Sequence, residues 1–286
     1  MGVISQIRDV VLRPEHRAVL FLGGSDTGKT TQVWETAKWL AKRCTVGVVD
    51  ADMGQSHIGP PTTIAWGIVK REYERWEDIE VRDMYFVGAT SPQGNLLPTL
   101  TGVKLAFDAA MAACDKVIGD TTGLIARGPG FALKVHKVDL VRPDVIVALQ
   151  QSGELEHILG VWKASKSPFI LRIRPRMAKI KTREQRFRHR EALFRAYFEG
   201  ARIRTIRWRE VGLRNVSPDQ LVDPDYFLHR LVSLRDECGK DVALGIIQGI
   251  DEAHEALSIL SPMPTGVEMG SVVFGGLRIT SEGAPL

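Results

Sequence analysis

Cysteine is scarce: three residues, Cys44, Cys114 and Cys238, in a chain of 286. They are odd in number, far apart and form no Cys-x-x-Cys. That argues against a disulfide framework or a thiolate zinc site and points to a reducing, cytoplasmic setting. No apolar run approaches the roughly 20 residues that span a bilayer, so no membrane association is expected. The opening stretch, Met1 to Arg17, mixes charges through its apolar residues, unlike a secretory leader. Gln6 stands where the myristoylation pattern needs Ser or Thr. Internal repeats and low-complexity tracts are missing, and no Ser/His/Asp or Cys/His set for covalent catalysis is evident. What remains is ordinary: 44% apolar and 25% charged residues, with 27 Gly and 14 Pro. Those are globular proportions, in a chain long enough for one large α/β domain and a smaller appendage.

The formal net charge of +4 is unevenly spread. Between Lys163 and Arg209 sixteen Lys or Arg face three acids, Glu184, Glu191 and Glu199, while the rest of the chain is acidic by nine charges. A basic block in an acidic body is the electrostatic footprint of a polyanionic ligand, nucleotide or nucleic acid, or else a solvated helix face.

Short apolar runs at 18–22, 45–49, 84–87, 116–119, 144–149 and 169–173 read as strands. Helical patterns at 29–43, 99–114, 131–139, 154–164 and 182–198 separate most of them. Alternation of this kind predicts an α/β fold, a parallel sheet of P-loop NTPase type with helices on both faces. Polar clusters sit just past several strands, at the carboxyl edge where such sheets bind ligands. The tail is less regular: a loop over 210–224, a helix over 225–238, a strand over 242–250 and one or two strands over 268–279. The expected organisation is an amino-terminal segment 1–17, a P-loop domain 18–208 and a small β-rich carboxy-terminal domain 209–286.

Gly23-Gly24-Ser25-Asp26-Thr27-Gly28-Lys29-Thr30 matches G-x-x-x-x-G-K-[ST] between a predicted strand and a predicted helix. The glycines let backbone N–H groups turn around phosphate oxygens, and the helix N-terminus favours negative charge there. Lys29 would reach the β- and γ-phosphates, and Thr31 closes the nucleotide-binding run. The Thr30 hydroxyl would enter a Mg²⁺ shell made mostly of water and phosphate. The guanine-reading Asn/Thr-Lys-x-Asp element is missing, which favours ATP over GTP. After the second strand, Asp50-Ala51-Asp52-Met53-Gly54-Gln55 sets two carboxylates and an amide at a strand tip. One carboxylate would hold the metal and the other would take a proton from an attacking hydroxyl, the two needs of phosphoryl transfer.

This ordered set resembles the polynucleotide 5′-hydroxyl kinase family, the RNA kinases of pre-mRNA 3′-end formation, tRNA splicing and pre-rRNA processing and their archaeal relatives. The matching residues are the Gly-x-x-Asp-x-Gly-Lys-Thr loop, Asp-x-Asp-x-Gly-Gln, Pro60-Pro61, Ser91-Pro92, Thr121-x-Gly123 and an arginine-rich helix ending in Tyr197-Phe198. Together they cover about residues 18 to 200. The resemblance implies ATP and Mg²⁺ as cofactors and transfer of the γ-phosphate to the 5′-hydroxyl end of RNA, sometimes of single-stranded DNA. It makes Asp52 the essential carboxylate, while Asp50 holds a position that is not always acidic in the family; Thr30, Asp50 and Asp52 are the expected metal set. Gln55, Thr121, Thr122 and Gly123 become the substrate-binding residues. It also implies a lid, here the helix near 182–198, whose Arg183, Arg186 and Arg190 share one face at i, i+3, i+7 spacing. With Lys29 and Asp52 these arginines form the catalytic set, and Lys181 stands where some relatives carry another arginine. Phe187, Phe194 and Phe198 form a neighbouring stripe that would pack the helix down.

Two positions depart from the pattern. Leu124 occupies the place of a base-stacking Trp, and Asp120 the place of a common Asn. If stacking is kept, Trp66, Trp162 or Phe131 would supply it. Gln150 and Gln151 either meet adenine or cap the following helix. His57 lies near enough to Asp52 to contact substrate or is merely polar surface. The alternative to a kinase is an ATP-binding interaction module of an RNA-processing assembly. Protein partners are not specified by the sequence.

Overall fold

The computed structural model describes residues 3–175, 180–222 and 224–286. Arg176 and Lys179 of the basic block lie outside the described residues. The chain begins with α1 (Val3–Val11), β1 (Ala18–Gly23), α2 (Lys29–Leu40), β2 (Val46–Ala51), β3 (Thr63–Val69) and β4 (Val81–Phe86). It continues through α3 (Leu96–Ala113), β5 (Lys116–Thr121), α4 (Pro129–Val141), β6 (Val145–Leu149), α5 (Glu156–Leu159), β7 (Phe169–Ile173) and α6 (Arg183–Phe198). These seven strands form one sheet in the order β4-β3-β2-β5-β1-β6-β7, and β3 alone runs against the others.

Its five inner strands, β3, β2, β5, β1 and β6, are nearly wholly buried because both faces are covered, while the edge strands β4 and β7 are largely open. Val19, Phe21, Val48 and Val147 pack against α1 and α2 through Ile7, Val11, Val33 and Leu40. Leu20, Leu22, Val49 and Ala148 pack against α3, α4 and α5 through Val103, Phe107, Val138 and Ile158. The 18 residues of α3 have a mean hydropathy of 1.2, enough by composition for a membrane span, yet Val103, Phe107 and Ala110 are buried on the sheet. The strand β3 is absent from the sequence expectation. Its residues, 63–69, carry no assignment there.

The tail supplies β8 (Arg202–Arg207), β9 (Gly212–Arg214), α7 (Pro224–Phe227), β10 (Arg230–Asp236), β11 (Asp241–Asp251), β12 (Ala256–Ser261) and β13 (Met269–Arg278). Six of these are strands of a second sheet, ordered β8-β12-β11-β10-β13-β9. Its first strand begins at Arg202, upstream of the 209 expected for the carboxy-terminal unit. The helix expected over 225–238 is confined to α7. Central β10 has five consecutive buried residues, Leu231 to Arg235, and therefore no alternation to mark it as a strand.

Two features join the sheets. The Phe86 N–H of β4 donates to Asp241 Oδ2 at 3.1 Å, and the same carboxylate receives Arg235 Nη2 at 3.0 Å. Phe194 and Phe198 of α6 are buried with Leu231, Leu244, Ile246 and Val273 of the second sheet. The third member of the expected stripe, Phe187, stays 37% exposed. The start of α6 is fixed by a capping box: Thr182 Oγ1 accepts the Gln185 N–H at 3.1 Å and Gln185 Oε1 accepts the Thr182 N–H at 3.0 Å.

Candidate active site

The loop leaving β1 turns sharply into α2 at Gly28, whose φ of +78° disfavours any side chain. It rims a cavity of about 370 Å³ lined by Ser25 to Thr31, Trp34, Asp52, Gln55, His57, Trp76, Gly123, Lys181 and Arg186. The ammonium of Lys29 folds across the loop and donates to Gly24 O at 2.6 Å. Burial pulls its pKa down, opposed chiefly by the carboxylates of Asp120 and Asp52. Gly123 closes one wall. A Cβ there would stand 2.3 Å from Ser25 Oγ, so only glycine permits this approach.

Asp50 and Asp120 face each other in register on adjacent parallel strands, and they have different tasks. Asp50 accepts three backbone N–H groups: Asp52 at 3.0 Å, His57 at 2.6 Å and Ile58 at 3.0 Å. Burial and neighbouring Asp120 push its pKa up to about 7. These bonds commit both its oxygens to shaping the loop after β2, so the expected metal ligand is engaged with its own backbone. Asp120 Oδ2 instead receives the Thr30 hydroxyl at 2.5 Å. Burial holds its carboxyl above the usual range, while Lys29 and Thr30 pull it back. Asp120 is not among the expected site residues; its sequence signal is an acid at the end of the strand expected over 116–119, in the place of a common Asn. Asp52 lines the cavity, with Oδ1 accepting the Gly54 N–H at 3.3 Å.

The basic helix α6 lies across both loops. Arg186 forms an ion pair with Asp26 of the phosphate loop, and its backbone O accepts from Gln55 Nε2 at 3.4 Å. Arg190 donates to Gly54 O at 3.4 Å. Burial lowers the Arg190 pKa, and repulsion from Arg186 and Arg183 adds to it. Arg183 stands exposed at the first turn. Two of the three expected lid arginines therefore reach the loops.

The substrate-binding set divides similarly. Gln55 and Gly123 line the cavity. Thr121 is fully buried, donating to Phe21 O at 2.7 Å and accepting Lys134 Nζ at 2.9 Å. Thr122 is buried as well, and its carbonyl accepts Lys134 Nζ at 2.6 Å. Lys134 and Lys137, one turn apart on α4, are both 0% exposed. Lys134 ties down the 121–123 turn, whereas Lys137 Nζ has no hydrogen-bond partner among the described residues. Burial lowers the pKa of both, that of Lys137 to about 8. Neither was legible as special, because a helix seen in sequence does not show which lysine it buries.

Of the weaker signals, Gln150 caps the next helix, its Oε1 accepting the Leu155 N–H at 3.1 Å. Gln151 Nε2 donates to Pro175 O at 2.8 Å. Trp66 is buried in the core, Trp162 is packed against that core, and Phe131 faces His157. None of these three rings lines the cavity; Trp34 and Trp76 do.

Residues 23–200 match the family model for the mRNA cleavage and polyadenylation factor CLP1 P-loop. A polyribonucleotide 5′-hydroxyl kinase of Methanocaldococcus jannaschii is 29% identical over 94% of this chain and 88% of its own length. Another from Pyrococcus horikoshii is 33% identical over 94% of this chain and 87% of its own length. Among solved structures, Clp1p in complex with Pcf11p matches with a TM-score of 0.72 at 11% identity, over 96% of this chain and 78% of that one. This last likeness concerns the fold.

Proposed function

The chain belongs to the CLP1 P-loop family, and on that premise we propose that it is an ATP-dependent polynucleotide 5′-hydroxyl kinase. It moves the γ-phosphate of ATP onto the 5′-hydroxyl end of RNA, with single-stranded DNA ends as a second acceptor class. The observation that carries this reading is one cavity walled by the phosphate loop, Asp52 and Arg186.

In this reading the backbone N–H groups of residues 24–29 hold the β- and γ-phosphates, with Thr31 at the α-phosphate. Lys29 exchanges the Gly24 carbonyl for phosphate oxygens. Arg186 and Arg190 offset charge on the phosphoryl group in flight, and Arg183 and Lys181 add to the field at the mouth. Gln55 and Gly123 border the acceptor, and Thr121 and Thr122 support that border from behind. Asp52 takes the proton of the 5′-hydroxyl as its oxygen bonds to the γ-phosphorus and the bond to the β–γ bridging oxygen breaks, releasing ADP. The donor set near Thr30 consists of hydroxyl and carboxylate oxygens, which suits Mg²⁺. Thr30 and Asp120 would hold that ion, with Asp52 facing it and Asp50 supporting the loop beneath. A sparse protein shell of this kind is usual for this ion beside phosphates. When bound, it would neutralise charge shared by the β- and γ-phosphates. A cytoplasmic setting belongs to the same reading, supported by three free thiols.

The test is transfer from γ-labelled ATP to a 5′-hydroxyl oligoribonucleotide. Lys29→Ala and Asp52→Asn should each abolish labelled product, and Asp52→Asn should keep most of the ATP affinity. Tight ATP binding by the wild type without any product would replace the kinase by a nucleotide-fixed interaction module.

A further inference from the structure

A row of rings borders the acceptor side of the cavity. Trp34 of α2 lies 4.9 Å from Trp76, Trp76 lies 5.3 Å from His57, and His57 lies 5.8 Å from His189 of α6, all between ring centroids. None of the four is fully buried. We propose that this row is the stacking platform for the 5′-terminal bases of the acceptor strand, and that the strand then leaves along the outer face of α2 over Trp39. The proposal rests on the kinase reading and adds to it where the single strand lies.

Three observations support this path. First, Trp34 lines two cavities at once: the one holding Asp52, and a neighbouring hollow of about 350 Å³ formed with Arg8, Lys38, Trp39 and Lys42. The two spaces therefore adjoin at one indole. Second, cations lie over these rings: Lys38 Nζ is 5.7 Å from the Trp34 centroid, and the Arg43 and Arg8 guanidiniums are 3.9 Å and 5.1 Å from that of Trp39. Aromatic and guanidinium planes interleaved in this way are what unstacked bases and their phosphates recognise. Third, sheet order separates donor from acceptor. The strand β1 carries the phosphate loop, β5 and then β2 with its Asp52 loop lie to one side, and β6 lies to the other. The ring row is on the Asp52 side, so a base stacked there belongs to the chain whose hydroxyl Asp52 receives, not to adenine.

Trp39 follows Lys29 by ten residues, about 15 Å along the helix at 1.5 Å per residue. The platform therefore extends beyond the terminal nucleotide. Glu35 and Glu74 share the second hollow, with Glu74 pairing Lys38 at 2.8 Å. Stacking, more than net charge, must provide the attraction there.

The experiment compares a dinucleotide with a ten-nucleotide single-stranded RNA, both with 5′-hydroxyl ends, by steady-state kinetics and by anisotropy of the 3′-labelled ten-mer. Trp34→Ala and Trp76→Ala should each raise the acceptor KM and weaken ten-mer binding about tenfold, with the KM for ATP within about twofold of wild type. Trp76→Phe should restore most of the loss. Trp39→Ala should raise the KM of the ten-mer several-fold more than that of the dinucleotide. Wild-type protein given a ten-mer abasic at its first two positions should show a similar loss, which frees the test from any folding defect in the variants. A rise in the KM for ATP would assign the rings to adenine and overturn the proposal. Unchanged acceptor KM in the alanine variants, or an abasic acceptor as good as the intact one, would overturn it while leaving the kinase reading in place. A wild type that phosphorylates no acceptor would remove the kinase reading and this proposal together.

Discussion

Lys137→Met is expected to make the protein more stable at neutral pH, against the usual direction of a core substitution. The lysine is wholly buried and its ammonium has no hydrogen-bond partner among the described residues. Burial lowers its pKa from an ordinary 10.5 to about 8, even with Asp52 and Asp120 favouring the charge. At about 1.36 kcal/mol per pH unit, that fall means the fold gives up about 3 kcal/mol by holding the protonated form. Methionine fills a similar volume without a charge, so the variant should recover a large part of it. The sign with pH follows from linkage. Between pH 8 and 10.5 the unfolded chain keeps the lysine proton while the native protein has released it, so wild-type stability rises with pH across that window. The advantage of Lys137→Met should therefore be greatest at pH 7 and shrink steadily towards pH 10. Urea unfolding of both proteins at pH 7, 8, 9 and 10 measures it. A variant no more stable than wild type at pH 7, or an advantage that does not change with pH, would refute the reasoning. Lys134→Met supplies the contrast. It strips Lys134's bonds from Thr121 and the buried Thr122 carbonyl, and should destabilise by about 1–3 kcal/mol.

Other expectations concern the lid and the β2 loop. Arg186→Ala should lower kcat about 10²-fold in single-turnover transfer, while Arg183→Ala, removing an exposed side chain, should change it less than about threefold; equal effects would undo the assignment. Phe194→Ala should cost about 3–5 kcal/mol in urea unfolding, because that ring is fully buried between α6 and the second sheet. Asp50→Asn should lower the thermal midpoint, since the amide cannot accept all three backbone donors; an unaltered midpoint would mean that the loop holds its shape without them.

The strands β1, β2, β5 and β6 were legible because strands covered on both faces are continuous apolar runs; β7 was legible as an apolar run although it is an edge strand with Phe169 exposed. The same rule concealed β10, where Leu231 and Leu234 repeat at a helical interval although both faces of the strand are buried. The phosphate loop and the Asp52 tip were legible because their spacing is local. Which carboxylate meets Thr30 was not, since it depends on the register of β5 between β1 and β2, which brings Asp120 to the Thr30 hydroxyl while Asp50 accepts backbone N–H groups. Likewise the arginine spacing on α6 was correct as a face. Only the docking of Phe194 and Phe198 decides that Arg186 and Arg190 come down on the loops while Arg183 does not. The rings of Trp34 and Trp76 are 42 positions apart, and no pattern in the sequence connects them.

The end of α6 is held by the second sheet through Phe194, Phe198 and the Tyr197 hydroxyl, which accepts the Leu244 N–H at 2.9 Å. Its start rests on the phosphate loop through Arg186. The helix is thus a lever whose fulcrum lies in one half of the molecule and whose working tip lies in the other. A substitution beneath Val273 or Leu244 therefore acts on a helix whose other end carries Arg186 on the phosphate loop.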